Sequence, residues 1–371
     1  MTFGPILSLV LGAVAVIGVI TSTLYSLMVA VGVRRFRHRV AAAAPHSYQP
    51  QVSVLKPLHG DEPDLEENLA SFFQQDYPEF EIIFCARHSD DLGLAAARRV
   101  AARFPLVPTR ILTCGEPPWP NARTFSLEIM RREARHPILV TSDSDVRIAP
   151  DYLASIVAPL ADPKVGMVTC LYRGVTRHGL WAQLEAMGMS LEMTSGVLVA
   201  EMIEGMRFAL GPSMVMRQST VEKIGGFESF SDYLADDYQL GHRLHALGLK
   251  CVLSDVMVET HLGGNWHDVW QHQVRWARTI RVSKFWGYLG LPVTFATFWA
   301  IVCGNWRVGL ALLAVRMLMA IVAGKKDALR MLFLIPLRDL FGVAVWTVAL
   351  FGNTVVWRGR TLRLDRDGRI S

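Results

Sequence analysis

The chain has 371 residues, enough for one large or two ordinary domains, and 51% of them are hydrophobic, with a mean hydropathy of +0.27. That balance points to a portion that lies outside water. A net charge of +5 and a pI near 9.0 would suit nucleic acid, but no nucleic-acid motif accompanies them, and much of the excess sits beside apolar segments, where it reads as topology signal and attraction to anionic lipid.

Residues 1–33 hold no charged side chain, and the run Ile6 to Val33 exceeds the roughly 20 residues that cross a bilayer. A transmembrane helix is expected over 5–33. The basic cluster Arg34-Arg35-Phe36-Arg37-His38-Arg39 follows the run, whereas a cleaved signal peptide carries its positive charge before a shorter core. By the positive-inside rule that end is cytoplasmic, and residues 34–50 read as a basic juxtamembrane linker.

Residues 51–262 have soluble composition and read as one globular domain on the cytoplasmic side. Apolar bursts at Val52-Ser53-Val54-Leu55, Phe80 to Phe84, Thr109 to Leu112 and Pro137 to Thr141 alternate with helical stretches such as Leu65 to Gln74 and Leu92 to Phe104. Such alternation predicts an α/β fold with a mostly parallel sheet, whose ligands collect beyond the carboxyl ends of the strands. Acidic or polar clusters stand there: His59-Gly60-Asp61, His88-Ser89-Asp90-Asp91 and Asp143-Ser144-Asp145. Read as the end of a strand, Asp143 and Asp145 point the same way and offer oxygen ligands to a hard divalent cation that leaves room for substrate phosphate. The same pattern also occurs in turns, where Asp bonds its own backbone.

No Gly-x-Gly-x-x-Gly follows the first strand and no Gly-x-x-x-x-Gly-Lys-Ser/Thr occurs, which argues against a dinucleotide enzyme and a P-loop ATPase. His261 and His267 lack partners at zinc spacing, and the five cysteines show no Cys-x-x-Cys pairing. A second acidic patch, Asp236-Asp237, opens a helix through Leu247, preceded by the loop-rich Gly211-Pro212-Ser213 and Gly225-Gly226.

Residues 263–287 then mix Trp266, Trp270 and Trp276 with Arg275, Arg278 and Arg281, as in an amphipathic helix lying at a membrane interface. Residues 288–357 read as further membrane or re-entrant segments, with a break expected near Pro336, Arg338 and Asp339, and 358–371 as a basic tail. Lys325-Lys326 and that tail both call for the cytoplasm.

The series Asp90-Asp91, Asp143-x-Asp145, Asp236-Asp237-Tyr238 and Arg275-Trp276, with Lys56-Pro57-Leu58 at the first strand and Asp76-Tyr77-Pro78 before the second, resembles the membrane-bound inverting glycosyltransferases of the ceramide glucosyltransferase and hopanoid-associated type. The resemblance implies a GT-A (Rossmann-like) catalytic domain flanked by transmembrane helices, in a multi-pass protein of a bacterial-type inner membrane. It implies transfer of glucose or N-acetylglucosamine from a UDP-sugar to the hydroxyl of a membrane lipid, a ceramide or hopanoid polyol, at the lipid bilayer. It further implies that Asp237 is the general base, that Asp143 and Asp145 hold Mg²⁺ or Mn²⁺ on the diphosphate, that Asp91 or Asp90 contacts uridine, and that Arg275 and Trp276 complete the nucleotide site. The family's Gln/Arg-x-x-Arg-Trp signature has His272 at its first position here, and the full Asp143-Ser144-Asp145 fits the bacterial relatives better than the animal Asp-Ser-Gly. Two other readings share these motifs: a processive polysaccharide synthase, for which three or four spans are few, and an inactive membrane-anchored binding protein, against which the intact aspartates speak.

Overall fold

In the computed structural model, which describes residues 3–41, 47–323 and 332–371, the β-branched bursts of the middle segment form one eight-stranded sheet. Its strands are β1 (Val52–Pro57), β2 (Phe80–Ala86), β3 (Thr109–Thr113), β4 (Ile138–Ser142), β5 (Val146–Arg147), β6 (Val165–Val175), β7 (Ser213–Arg217) and β8 (Lys250–His261), in the order β3-β2-β1-β4-β7-β6-β8-β5. The first half is parallel, as the alternation predicts, with β2 between β3 and β1 and β4 on the other edge of β1. The second half is mixed: β7 runs antiparallel to both β4 and β6, β5 antiparallel to β8, and β6 parallel to β8.

β1, β2 and β4 are enclosed along nearly their whole length, with Val54, Ile82, Phe84 and Val140 fully buried, which is why they read as unbroken apolar runs rather than alternating ones. The strand order turns around between β1 and β4, so the crevice beyond their carboxyl ends is the place where an open α/β sheet takes its ligand. Lys56 on β1 and Asp143 just after β4 stand at those ends.

The chain divides into two compact units. The sheet belongs to one made of Arg39–Gly179, Glu204–Gly263 and Arg363–Ser371; the other contains Met1–His38, Leu180–Ile203 and Gly264–Leu362. The domain expected over 51–262 is therefore interrupted. Its helix Leu180–Glu204 is apolar enough to be a candidate span and groups with the other unit, because its acidic residues find their partners there.

That second unit contains the helix Phe3–Ala41, which carries the basic cluster on its last turns instead of leaving it in a linker; residues 42–46 of the expected linker, and Lys325-Lys326, lie outside the described residues. Among the described residues three helices are long and apolar enough to cross a membrane, Leu9–Ala41, Leu180–Glu204 and Leu332–Leu350, and the pair Phe285–Thr294 and Ala296–Val302 would make a fourth if counted as one span bent by 65°. The residues expected as an amphipathic helix over 263–287 contain the helix Trp266–Ser283, which ends where the Lys284 backbone leaves the helical conformation. Pro336 occupies the first turn of Ile335–Leu350, where it costs no hydrogen bond. The basic tail is folded: residues of Arg363–Ser371 bridge Asp232–Leu234 within the sheet unit.

Arg316, Arg338, Glu192 and Asp339 pair with one another in the apolar unit. Arg338 donates to both oxygens of Glu192 at 3.0 and 2.7 Å and to Gln273 at 3.1 Å, while Asp339 accepts from Arg316 at 3.1 Å and from the backbone and hydroxyl of Thr297 at 3.0 and 2.8 Å. Gly188 makes room for this, since a Cβ there would lie 2.3 Å from Nη2 of Arg338. Replacing Arg338 by Met strands the Glu192 carboxylate. We expect a loss of about 3–5 kcal/mol, read as a lower melting temperature of the detergent-solubilised protein and partly restored by Glu192→Gln in the same chain; an unchanged melting temperature would mean the pair is not structural.

Candidate active site

β4 delivers its chain to the centre of the sheet and stops at Ser142, so Asp143-Ser144-Asp145 lies in a turn rather than on the strand. The expected side-by-side presentation of a strand does not apply. The turn is instead closed by the bond from the Val146 N–H to the Asp143 carbonyl at 3.3 Å and held from β8 by the His261 N–H on the Asp145 carbonyl at 2.9 Å. Ser144 is buried, and the Asp143 side chain is about one-third exposed.

Two buried cations brace this turn. Lys56 reaches from β1 to donate to the Asp143 carbonyl at 2.7 Å, with its ammonium 3.6 Å from the Phe72 ring centroid. Burial pushes its pKa down to about 7, against the pull of the carboxylates of Asp145, Asp143 and Glu62. Arg123 lies in the first turn of the helix Ala122–Glu133, whose start is set by Asn121 accepting from the N–H groups of residues 123 and 124. Its Nε donates to Oδ1 of Asp143 at 2.9 Å, Nη1 to Asp236, and Nη2 to the Gly211 carbonyl at 3.0 Å. Burial works against its charge, but Asp143 and Asp236 outweigh it and hold the pKa above the usual range.

Asp237 opens the helix Asp236–Ala246. Oδ2 accepts from the Gly211 N–H at 2.9 Å and Oδ1 from the Tyr238 N–H at 2.7 Å. Burial, helped by the neighbouring Asp236, raises its pKa to about 6 in spite of those bonds and of Arg123. A Cβ at Gly211 would lie 3.2 Å from Oδ2 of Asp237 and 3.9 Å from Oδ2 of Asp143. The two carboxylates thus flank one glycine.

Asp145 differs from both. Burial, then the charges of Glu62 and Asp143, raise its pKa well above the carboxylate norm, with Lys56 only partly offsetting them. Its Oδ1 is buried without a hydrogen-bond partner among the described residues. An orphaned oxygen in a negatively charged pocket fits a divalent cation. No group of three His, Cys, Asp or Glu side chains among the described residues forms an all-protein cage, but Mg²⁺-type ions are usually held by one or two carboxylates plus substrate phosphate, and Asp143 with Asp145 match that donor set.

The other expected residues have structural duties as well. Asp91 caps the helix Leu92–Arg103, accepting from the Gly93 N–H at 2.8 Å, and also accepts from the Gly60 N–H at 3.1 Å, tying the loop after β1 to the helix after β2. Asp90 is exposed. Arg275 and Trp276 lie on Trp266–Ser283 in the apolar unit, where Arg275 sits 5.9 Å from the Trp357 ring. His272 is bound through Nδ1 to the buried Glu185 at 2.6 Å and packs edge-on against Trp276 at 4.7 Å. Arg123, Gly211 and the bracing role of Lys56 are additions that the motif reading lacks; the Asn121 cap after Pro117-Pro118-Trp119-Pro120 marks only where the helix of Arg123 begins.

The fold is that of a mannosyltransferase from Pyrobaculum calidifontis, solved in complex with GDP-Man and Mn²⁺, which superposes with a TM-score of 0.57 over 92% of this chain and 99% of that one at 20% identity. Ceramide glucosyltransferase 1 of Caenorhabditis elegans is 30% identical over 221 residues, 59% of this chain and 47% of the relative, and a ceramide glucosyltransferase of Gibberella zeae is 28% identical over 199 residues, 50% and 37%. The matches span about half the length or less of these curated relatives. The description of glycosyl transferase family 21 fits residues 12–370, nearly the whole sequence with both units included, and the chain belongs to that family.

Proposed function

We propose that the protein transfers a hexose, glucose or N-acetylglucosamine, from a UDP-sugar to the hydroxyl of a membrane lipid, a ceramide or a hopanoid polyol, with inversion at the anomeric carbon. The observation that carries this reading is Asp237: a partly buried carboxylate with a pKa near 6, one glycine away from the Asp143 carboxylate. The names of the curated relatives support a ceramide-like acceptor. The basic end of Phe3–Ala41 supports a cytoplasmic location for the catalytic unit.

In the proposed reaction the lipid oxygen attacks the anomeric carbon, its proton passes to Asp237, and the bond from that carbon to the diphosphate oxygen breaks as UDP leaves. A base with a pKa just below neutral is mostly ionised at pH 7 yet still basic enough to take the proton. The backbone N–H groups of Gly211 and Tyr238 aim its two oxygens and leave lone pairs for the acceptor hydroxyl. Asp143 and Asp145 would hold Mg²⁺ or Mn²⁺, which when bound supplies Lewis-acid stabilisation of the departing diphosphate. Arg123 fixes Asp143, and Lys56 fixes the backbone of the same turn. Asp91 is assigned to uridine, and Arg275, with Trp276 beside it, to the charge on the diphosphate.

Incubating membranes that contain the protein with UDP-glucose or UDP-N-acetylglucosamine and examining the lipids by mass spectrometry tests the reading directly. The expected product is a lipid heavier by one hexosyl or N-acetylhexosaminyl unit. UDP release with no glycolipid would overturn the acceptor class.

Asp237→Asn is expected to lower kcat by about 10²–10⁴ while UDP-sugar affinity changes less than twofold, since the base acts on the acceptor. In the wild type, log kcat should fall with unit slope as pH drops through about 6, because the required form is the ionised one and the folded-state pKa is raised. An equal loss of donor affinity, or a flat profile between pH 5 and 7, would remove Asp237 from this role.

Asp145→Ala should abolish the increase in melting temperature that Mn²⁺ gives the wild type without donor, and should weaken Mn²⁺-dependent UDP-sugar binding about tenfold or more, an effect worth about 1.4 kcal/mol. Unchanged Mn²⁺ stabilisation in the variant would exclude Asp145 as a ligand.

A further inference from the structure

The helix that carries Asp237 begins without a cap of its own. Its N-cap residue is Ala235, which has no side-chain bond to the first turn, and alanine is among the poorest residues at that position. The start of Asp236–Ala246 therefore depends on what holds the segment leading into it.

That segment, residues 231–234, is gripped by two partners that take alternate backbone groups. Asn121, which caps the helix of Arg123, donates its backbone N–H to the Ser231 carbonyl at 3.1 Å and its side-chain amide to the Tyr233 carbonyl at 2.8 Å. Residues 368–370 take the groups between. The Ile370 N–H donates to the Asp232 carbonyl at 2.7 Å and the Leu234 N–H to the Gly368 carbonyl at 3.1 Å, so that Tyr233 stands opposite Arg369 as in an antiparallel pair. Leu234 is followed after one residue by Asp236, whose carboxylate Arg123 holds.

Residues 363–371 form a small hairpin that presents those groups. Arg363 and Ser371 exchange both backbone bonds, at 2.9 and 3.0 Å, and the Asp365 N–H donates to the Arg369 carbonyl at 2.9 Å. The Asp365 side chain closes the turn by accepting from the N–H groups of Asp367 and Arg369 at 2.9 and 2.8 Å, and Gly368 takes the left-handed φ of 86° there. Leu364 and Ile370 pair across the hairpin and are buried, as are Phe230 and Leu234. Arg369 meets the Asp232 carboxylate at 2.9 Å, but that ion pair is exposed and contributes little by itself. The backbone bonds and the buried side chains carry the contact. Hairpin, gripped segment and Asp237 all belong to the sheet unit.

We propose that the hairpin of residues 363–371 is a positioning element for the candidate base: by holding Asp232 and Leu234 it sets where Asp236–Ala246 starts, and so where the Asp237 carboxylate points. This rests on the function proposed above for Asp237. A displacement of about 1 Å at a reacting group costs about 10²-fold in rate, so a grip this close to the base is read in kcat. Among the described residues the hairpin's hydrogen bonds to other segments all go to residues 232–234. It does not brace Lys56 or the turn of Asp143, so donor binding is spared.

The test uses the full chain in phosphatidylcholine nanodiscs and compares Ile370→Pro, which deletes the N–H that the Asp232 carbonyl accepts, with Ile370→Val, which keeps it. Turnover with UDP-sugar and lipid is measured beside backbone hydrogen exchange read by mass spectrometry. Ile370→Pro should lower kcat about tenfold or more, with KM for the UDP-sugar within about twofold of the wild type. Exchange should speed up over residues 234–240 while β1, β2 and β4 stay as protected as before, and Ile370→Val should match the wild type throughout. Unchanged kcat in Ile370→Pro overturns the proposal. So do equal losses of kcat and donor affinity with faster exchange across the whole sheet, because the hairpin then only holds the fold together. If Ile370→Pro does not fold, a chain lacking residues 364–371 is assayed with a synthetic peptide of that sequence: saturable recovery of kcat supports the positioning role, and no recovery overturns it. Should the wild type transfer no sugar to any lipid, the role of Asp237 falls, while exchange over 234–240 still decides whether the hairpin orders that helix.

Discussion

Arg123 is enclosed by protein and still carries its charge because three acceptors meet its guanidinium: Asp143 on the turn after β4, Asp236 at a helix start, and the Gly211 carbonyl. These partners lie 20, 113 and 88 residues away along the chain. Loop closure over such distances is recovered only when the sheet has brought β1, β4 and β7 together, so the candidate site cannot form ahead of the fold. Removing one partner of such a pair leaves a buried charge and costs more than the pair itself contributes. The planar fork also fixes direction, which a lysine ammonium would not. Asp143 and the helix that carries Asp237 are thereby held on either side of Gly211.

Within that frame the two acidic groups on which the proposed chemistry turns have different surroundings. Asp237 sits at a helix start, accepts two backbone N–H bonds and feels Arg123, so burial lifts its pKa only to about 6. Asp145 faces Glu62 and Asp143, and Lys56, which partly offsets them, is itself so buried that its pKa falls to about 7. Environments that push like groups apart assign them different work. One carboxylate suits a base near neutral pH; the other suits a bound cation.

Much of this was legible in the sequence, and the exceptions have physical causes. Parallel strands buried on both faces read as apolar bursts, so β1, β2 and β4 stood out, and with them the strand-end position of the aspartates. That Asp143 and Asp145 occupy a turn was not legible, because an Asp-x-Asp after a strand carries no mark of where the ladder stops. The helix Leu180–Glu204 was hidden by Glu185, Glu192 and Glu201, which make an apolar segment look soluble; Glu192 makes sense only beside Arg338, which lies 146 residues later. Arg123 had no signature for the same reason. A buried arginine looks like any helix arginine until its acceptors are placed, whereas Asp237 stood out as a candidate because a family motif surrounds it.

Both units therefore use the same device, a buried arginine set among carboxylates from distant segments, with opposite results. In the apolar unit both oxygens of Glu192 accept from Arg338, and both oxygens of Asp339 accept, from Arg316 and Thr297. Those pairs fix which helix faces meet, a specificity that uniform apolar packing would not supply. In the sheet unit the acids outnumber the bases. Asp143 is paired but one-third exposed, and Asp145 keeps an unsatisfied oxygen. Paired carboxylates hold structure, whereas a surplus buried carboxylate either takes up a proton, as the raised pKa of Asp145 favours, or accepts a cation. That surplus, more than the Asp-x-Asp spacing, is what makes the turn after β4 a candidate binding site.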